Sequence, residues 1–167
     1  MEPEVKELDI ASLVTKVMDE LGSTRDAVIP ILSEINRALG YIPAAALPEI
    51  RRHIQAQQKQ EGVFVADSHI YSAASFYQMF SLEPLGRHVI RFCESAPCHV
   101  EGGREVFDTL QRELGLQPGE TSADRKWSLL TTSCIGVCSV GPVFLVDEDL
   151  YGNVTPERVP EILAKYQ

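Results

Sequence analysis

The chain has 167 residues, a formal charge of −9 and 44% apolar residues, enough for one medium domain or two small ones with a real core. The acidic balance argues against binding nucleic acid, which needs clustered Lys and Arg to neutralise phosphates. No apolar run is long enough to span a bilayer. The acidic start Met1–Glu7 lacks a secretory pattern, so a cytoplasmic chain without direct membrane contact is expected.

Residues 1–85 read as helical. Ile10, Leu13, Val14, Val17, Met18 and Leu21 recur at helical spacing, and Gly22 follows them, which predicts a helix over Asp9–Leu21. Ser23 or Thr24 is placed to cap a second helix that runs through Val28, Ile31, Leu32 and Ile35 to Leu39, with Gly40 as its stop. Pro43 can open a third helix carrying Leu47, Ile50 and Ile54, and Pro48 can interrupt it. The polar stretch Gln55–Gly62 reads as a helix end fraying into a loop. A fourth helix is expected over Asp67–Phe80, with Ile70, Tyr71, Ala74, Tyr77 and Phe80 as a packing stripe.

Pro84-Leu85-Gly86 is a turn signal and the expected boundary of a second domain, residues 86–167. His88–Phe92 is a short β-branched and aromatic run that ends at Cys93. A helix is expected over Gly103–Leu114, strands over Lys126–Thr131 and Val143–Val146, a turn at Gly152-Asn153, and a final helix capped by Thr155. The order β-α-β-β-α predicts helices covering a small sheet. The fold class is therefore α+β, a helical N-terminal segment followed by an α/β domain.

The only cysteines form two tight pairs, Cys93-x4-Cys98 and Cys134-x3-Cys138, each in a loop after a strand. A reducing compartment disfavours structural disulfides. Neither spacing is the CxxC of a thiol redox motif. Two metal readings remain. One is a structural zinc ion held by four thiolates, which would make the chain a zinc-stapled interaction module. The other is a 2Fe-2S cluster with Cys93 and Cys98 on one iron and Cys134 and Cys138 on the second. Ser95, Ala96 and Pro97 in the first loop and Gly136 in the second are small or turn-forming. They would let backbone N–H groups approach the sulfurs and tune a potential.

His99 follows Cys98, but four thiols already suffice for ligation, and His53, His69 and His88 lie apart in the sequence. Neither GxGxxG nor a Walker motif occurs, so the chain is not expected to bind NAD or a flavin itself. No nucleophile–base pair stands out, and no catalytic residue is assigned. Pro142 is a candidate for a cis peptide.

The strings FCESAPCHVEGG and GLQPGETSADRKWSLLTTSCIGVCSVGPVFLVDEDLYGNVTPERVPEIL, with VIPILSEINRALGYIP and SAASFYQMFSLEPLGRHVIRFC ahead, resemble the thioredoxin-like 2Fe-2S ferredoxin subunits of respiratory complex I. They also resemble the matching subunits of NAD(P)-linked hydrogenases and formate dehydrogenases. The chain departs from the pattern in the long polar stretch Gln57–Val65, and at Asp124-Arg125-Lys126, where relatives often carry Asp-Gly. The resemblance implies a thioredoxin-like second domain and Cys93, Cys98, Cys134 and Cys138 as cluster ligands. It implies a one-electron carrier in the NAD(P)H-oxidising or NAD(P)-reducing flavoprotein module of such a complex, whether complex I, hydrogenase or formate dehydrogenase. FMN and NAD(P) are then expected on a partner subunit, with further iron-sulfur subunits beyond it.

Overall fold

The computed structural model describes residues 9–58 and 65–166. The chain divides between Pro84 and Leu85 into two compact units.

The first unit is helical. Helix α1 (Ile10–Leu21) buries Val14, Val17 and Met18, and α2 (Val28–Leu39) buries Val28, Ile31, Leu32 and Ile35. These positions are three and four residues apart, so each helix offers one apolar stripe. The stripes meet Ile50 and Ile54 of α3 (Ala46–Gln58) and Ile70 and Ala74 of α4 (Asp67–Phe76) in one core. Each Val, Leu, Ile or Met side chain so removed from water contributes about 1.5–3 kcal/mol. Gly40 ends α2 in the left-handed region at φ 77 and donates its N–H to the Asn36 carbonyl, a conformation that costs glycine nothing.

Four local expectations need correction. A 3-10 turn, Arg25–Ala27, precedes α2, and no side chain caps either element. Ser23 is buried, and neither it nor Thr24 serves as a side-chain cap. Pro43 does not open α3; its carbonyl closes a turn with the Ala46 N–H. Pro48 lies in the first turn of α3, where a missing N–H costs little, so the helix is not interrupted. Helix α4 ends at Phe76 instead of Phe80, because Tyr77 turns to extended backbone. The segment beyond is held by Asn36, whose Oδ1 accepts the Ser81 N–H at 3.2 Å. The expected aromatic stripe therefore splits: Ile70 and Ala74 are core and Phe80 packs against it, whereas Tyr71 and Tyr77 are exposed. Helix α3 reaches Gln58, and the rest of the polar stretch to Gly62 lies outside the described residues, as does Met1–Glu7.

The second unit holds a four-stranded sheet of order β2-β1-β3-β4. Strand β1 (His88–Cys93) pairs in parallel with β2 (Trp127–Thr132) and antiparallel with β3 (Phe144–Val146). Strand β4 (Asp149–Tyr151) pairs antiparallel with β3. It is absent from the sequence expectations, being three residues long and mostly exposed. The two-residue loop Asp147-Glu148 makes it possible, with Asp147 at φ 56.

Ile90 and Phe92 face Leu129, Val146 and Phe144 on one side of the sheet. Helix α6 (Arg104–Leu114) covers that side with Val106 and Leu110, and α7 (Arg158–Leu163) with Val159 and Ile162. Thr155 and Pro156 form the turn before α7, and Pro160 falls in its first turn. Between β1 and α6 lies a short helical turn, α5 (Ala96–Cys98). It runs into a kink where Glu101 and Gly102 leave helical dihedrals. No described helix is long and apolar enough to cross a membrane.

Candidate metal centre

The parallel pairing of β1 and β2 brings the four cysteines together. Cys93 is the last residue of β1 and lies opposite Thr132, the last of β2. Both chains leave the sheet at the same end, so the loop after β1 and the loop after β2 start as neighbours. The Glu94 N–H donates to the Thr132 carbonyl at 3.2 Å and fixes that start. Within the first loop, α5 turns Cys98 back toward Cys93. Within the second, Gly136 at φ 86 reverses the chain, so that the Sγ atoms of Cys134 and Cys138 stand 3.3 Å apart.

A third segment completes the site. The cis peptide Gly141-Pro142 leads into Val143, whose carbonyl accepts the Cys93 N–H at 3.2 Å. Cys93, Cys98 and Val143 form a small buried cluster, with Ile135, Val137 and Val140 packed round it. Cys93 and Cys98 are each 1% exposed, whereas Cys138 is half-buried and Cys134 exposed. All four are free thiols.

The electrostatics follow from this packing. Burial pushes the Cys98 thiol up to about 11, helped by the sulfur of Cys93 beside it. Burial also acts against ionisation of Cys93, but backbone donors from Ser95 and Ile135 and the neighbouring Cys98 more than offset it, and its value falls below the usual thiol range. Cys138 is raised by its hydrogen bond to Cys134 and by the charge of that neighbour. The pattern describes sulfurs crowded together around few compensating cations. A metal centre relieves such crowding, because ligation replaces the protons.

The model of the thioredoxin-like [2Fe-2S] ferredoxin family matches residues 14–167. The chain belongs to this family. A subunit of the NADH-quinone oxidoreductase of Escherichia coli (strain K12) is 34% identical over 143 residues, 86% of this chain and 81% of the relative. The HndA subunit of the NADP-reducing hydrogenase of Solidesulfovibrio fructosivorans is 28% identical over 153 residues, 92% of this chain and 84% of the relative. Among solved structures, the NAD+-reducing [NiFe]-hydrogenase in its air-oxidised state superposes with a TM-score of 0.64 at 23% identity. That match covers 89% of this chain but 24% of the hydrogenase chain, and it speaks to the fold.

As a thioredoxin-like ferredoxin, the chain is an electron carrier whose cofactor is a 2Fe-2S cluster, and its donor set fits that group. Two thiolates on one tetrahedral ion with bonds of about 2.3 Å stand roughly 3.8 Å apart. The 3.3 Å between Cys134 and Cys138 is near this and well beyond a disulfide bond. Among the described residues no three His, Cys, Asp or Glu side chains surround a single point as ligands of one ion. The two pairs are close neighbours: a Cβ at Gly141 would lie 3.3 Å from the Cys138 carbonyl oxygen and 3.5 Å from Cys98 Sγ, and the charge of Cys138 bears on Cys98.

Small residues near the sulfurs are visible in the sequence, but not which groups use the space. The backbone of Ser95 and Ile135 favours ionisation of Cys93, and that of Val143 favours ionisation of Cys98. Gly103 is a second residue that sequence reasoning misses. A Cβ there would fall 2.5 Å from the Cys98 carbonyl oxygen, so only glycine lets α6 start this close to the first cysteine loop. The Gly102-Gly103 pair is the available signal. His99 is exposed. His88 sits at the opposite end of β1, where its Nδ1 meets Asp147 Oδ2 at 2.8 Å and its ring packs on Trp127 and Tyr166. It is half-buried.

Proposed function

We propose that Cys93, Cys98, Cys134 and Cys138 ligate the 2Fe-2S cluster. On this reading the chain serves as the one-electron carrier in the NAD(P)H-oxidising or NAD(P)+-reducing module of a multi-subunit oxidoreductase. The observation that carries the reading is the meeting of four thiols from two loops at one end of a parallel strand pair, in a chain 34% identical to an NADH-quinone oxidoreductase subunit. The cluster, when bound, supplies a site that takes up and releases single electrons.

The chain's own residues do the rest. The four thiols bind. The end of β1 and the short helix α5 hold Cys93 and Cys98 in place. Ile135, Val137, Val140 and Val143 exclude water from the inner pair. The amides of Ser95, Ile135 and Val143 stabilise negative charge on sulfur. The exposed Cys134 leaves one edge of the site open toward solvent or a partner.

No residue of the chain is assigned to bond-making on a substrate. FMN and NAD(P) are proposed to bind a partner subunit, with further iron-sulfur subunits beyond it, in the cytoplasm. The relatives support this as subunits of an NADH-quinone oxidoreductase and an NADP-reducing hydrogenase. Purification of the native assembly through a tag on this chain tests the reading. A flavin- and NAD(P)-binding subunit is expected to co-purify in fixed ratio. Recovery of the chain alone, or only with subunits that hold neither flavin nor nucleotide, would contradict it.

A further inference from the structure

We infer that Cys134 and Cys138 form a reversible disulfide in the cluster-free chain, closed by a small-molecule disulfide such as oxidised glutathione, while Cys93 and Cys98 stay reduced. The inference rests on the cluster reading in one respect: a bound cluster engages all four thiols, so the chemistry belongs to the chain before loading or after loss.

The two pairs differ in access and in freedom to move. The Sγ atoms of Cys134 and Cys138 are 3.3 Å apart, so they must approach by only about 1.3 Å to bond. Cys134 is exposed, and the loop between the two turns on Gly136, with nothing beyond its chain neighbours within 4 Å of where its Cβ would stand. The tip of that loop at Gly136 is open, although Ile135 and Val137 on either side of it pack on the inner pair, so closing the bond asks for a small local adjustment and not for the loop to leave the inner pair. Cys93 and Cys98 are sealed under Val143, Ile135, Val137 and Val140. Cys93 is also tied into the sheet through its N–H, and the peptide of Cys98 lies against the start of α6. A tripeptide disulfide reaches either of them only after the loops open.

The step balances. The Cys134 thiolate attacks one sulfur of oxidised glutathione; the glutathione S–S bond breaks and one glutathione leaves as thiolate. The Cys138 thiolate then attacks Cys134 Sγ, the Cys134–Cys138 bond forms, and the second glutathione leaves. The two cysteines lose two electrons, the glutathione disulfide gains them, and the two cysteine protons end on the two glutathione thiols.

The full chain is stripped of iron and sulfide by an anaerobic chelator, reduced, desalted and exposed to oxidised glutathione. Free thiols are then alkylated and the chain is digested with trypsin. Cleavage after Arg91, Arg104, Lys126 and Arg158 separates the pairs into Phe92–Arg104 and Trp127–Arg158. The expected result is loss of about 2 Da from Trp127–Arg158 with no label on its cysteines, while both cysteines of Phe92–Arg104 are alkylated. Oxidation of the Trp127–Arg158 pair should be at least about tenfold faster. In Cys138→Ser the second attack cannot occur, so a glutathione adduct of about 305 Da should persist on Cys134.

Equal oxidation of the two pairs, bonds between the two peptides, or no adduct on Cys134 in Cys138→Ser would overturn the inference. Iron and sulfide measured before chelation judge the cluster reading separately. A chain that never held iron yet closes this bond sinks that reading and leaves the disulfide standing.

Discussion

Gly103→Ala tests how closely α6 is docked on the ligand loop. Gly103 has helical dihedrals, φ −57 and ψ −29. At such a position Gly→Ala ordinarily stabilises by about 0.4–1 kcal/mol, through the unfolded chain. Here the new Cβ would stand 2.5 Å from the Cys98 carbonyl oxygen, 3.0 Å from its carbon and 3.5 Å from Phe92 Cζ. The first two are backbone atoms and have no rotamer to change. The start of α6 and the Cys98 peptide must therefore separate by about 0.5 Å to reach even the tightest contact real Cβ atoms show. Overpacking of this kind costs about 1–3 kcal/mol, which outweighs the backbone gain. A net loss of about 1–2 kcal/mol is expected, or a fall in Tm of roughly 5–15 °C for a unit of this size.

Trp127 is the only tryptophan and packs on the core of the second unit, so urea unfolding followed by its fluorescence reports on the packing of this unit. The urea midpoint should fall with the slope unchanged, in wild-type and variant chains of matched iron content. The variant should also release iron to a chelator faster, because the displaced peptide carries Cys98. Gly136→Ala is the comparator: beyond its chain neighbours it meets no atom within 4 Å, so its cost is confined to the left-handed backbone, about 1 kcal/mol. A Gly103→Ala chain as stable as wild type, with the same slope, would refute the reasoning.

Three further outcomes are expected. Cys93→Ser and Cys134→Ser should each lose or disrupt the cluster, read as iron content and visible absorption; a variant with the full wild-type spectrum would not have lost a required ligand. Tyr166 should ionise above the ordinary tyrosine range, because it is desolvated and hydrogen-bonded to Tyr151 at 2.8 Å and Asp149 at 2.7 Å. The native state favours its protonated form, so its contribution is intact below the unfolded value of about 10 and is lost as pH rises beyond it. Urea midpoints at pH 9 and pH 11 should drop less in Tyr166→Phe than in wild type, and an ordinary midpoint for the Tyr166 ring by NMR would contradict this. The isolated chain should show no NADH oxidation with a dye acceptor, and sustained turnover without any partner would count against a pure carrier.

Periodicity makes α1, α6 and the end of α2 legible almost to the residue, because each presents one apolar stripe to a single core. The ends of α3 and α4 are not legible. Pro43 reads equally well as a turn residue, and the segment after α4 is held by the Asn36 side chain from another helix, which no local pattern encodes. Strand β4 escapes because three mostly exposed residues have no periodicity to detect. The cysteine spacing marks the ligand candidates, but what brings them together is the parallel register of β1 and β2, which is a tertiary fact. The backbone contributions to the sulfurs are invisible in sequence for the same reason, whereas the close approach at Gly103 leaves only the Gly102-Gly103 pair as its trace.

Iron, acid-labile sulfide and zinc measured on the anaerobically purified chain, with the EPR spectrum of the dithionite-reduced sample, test the central claim most directly. The account predicts a brown protein with about two irons and two sulfides per chain and a one-electron-reduced cluster signal. A colourless protein holding one zinc, with no signal on reduction, would contradict it.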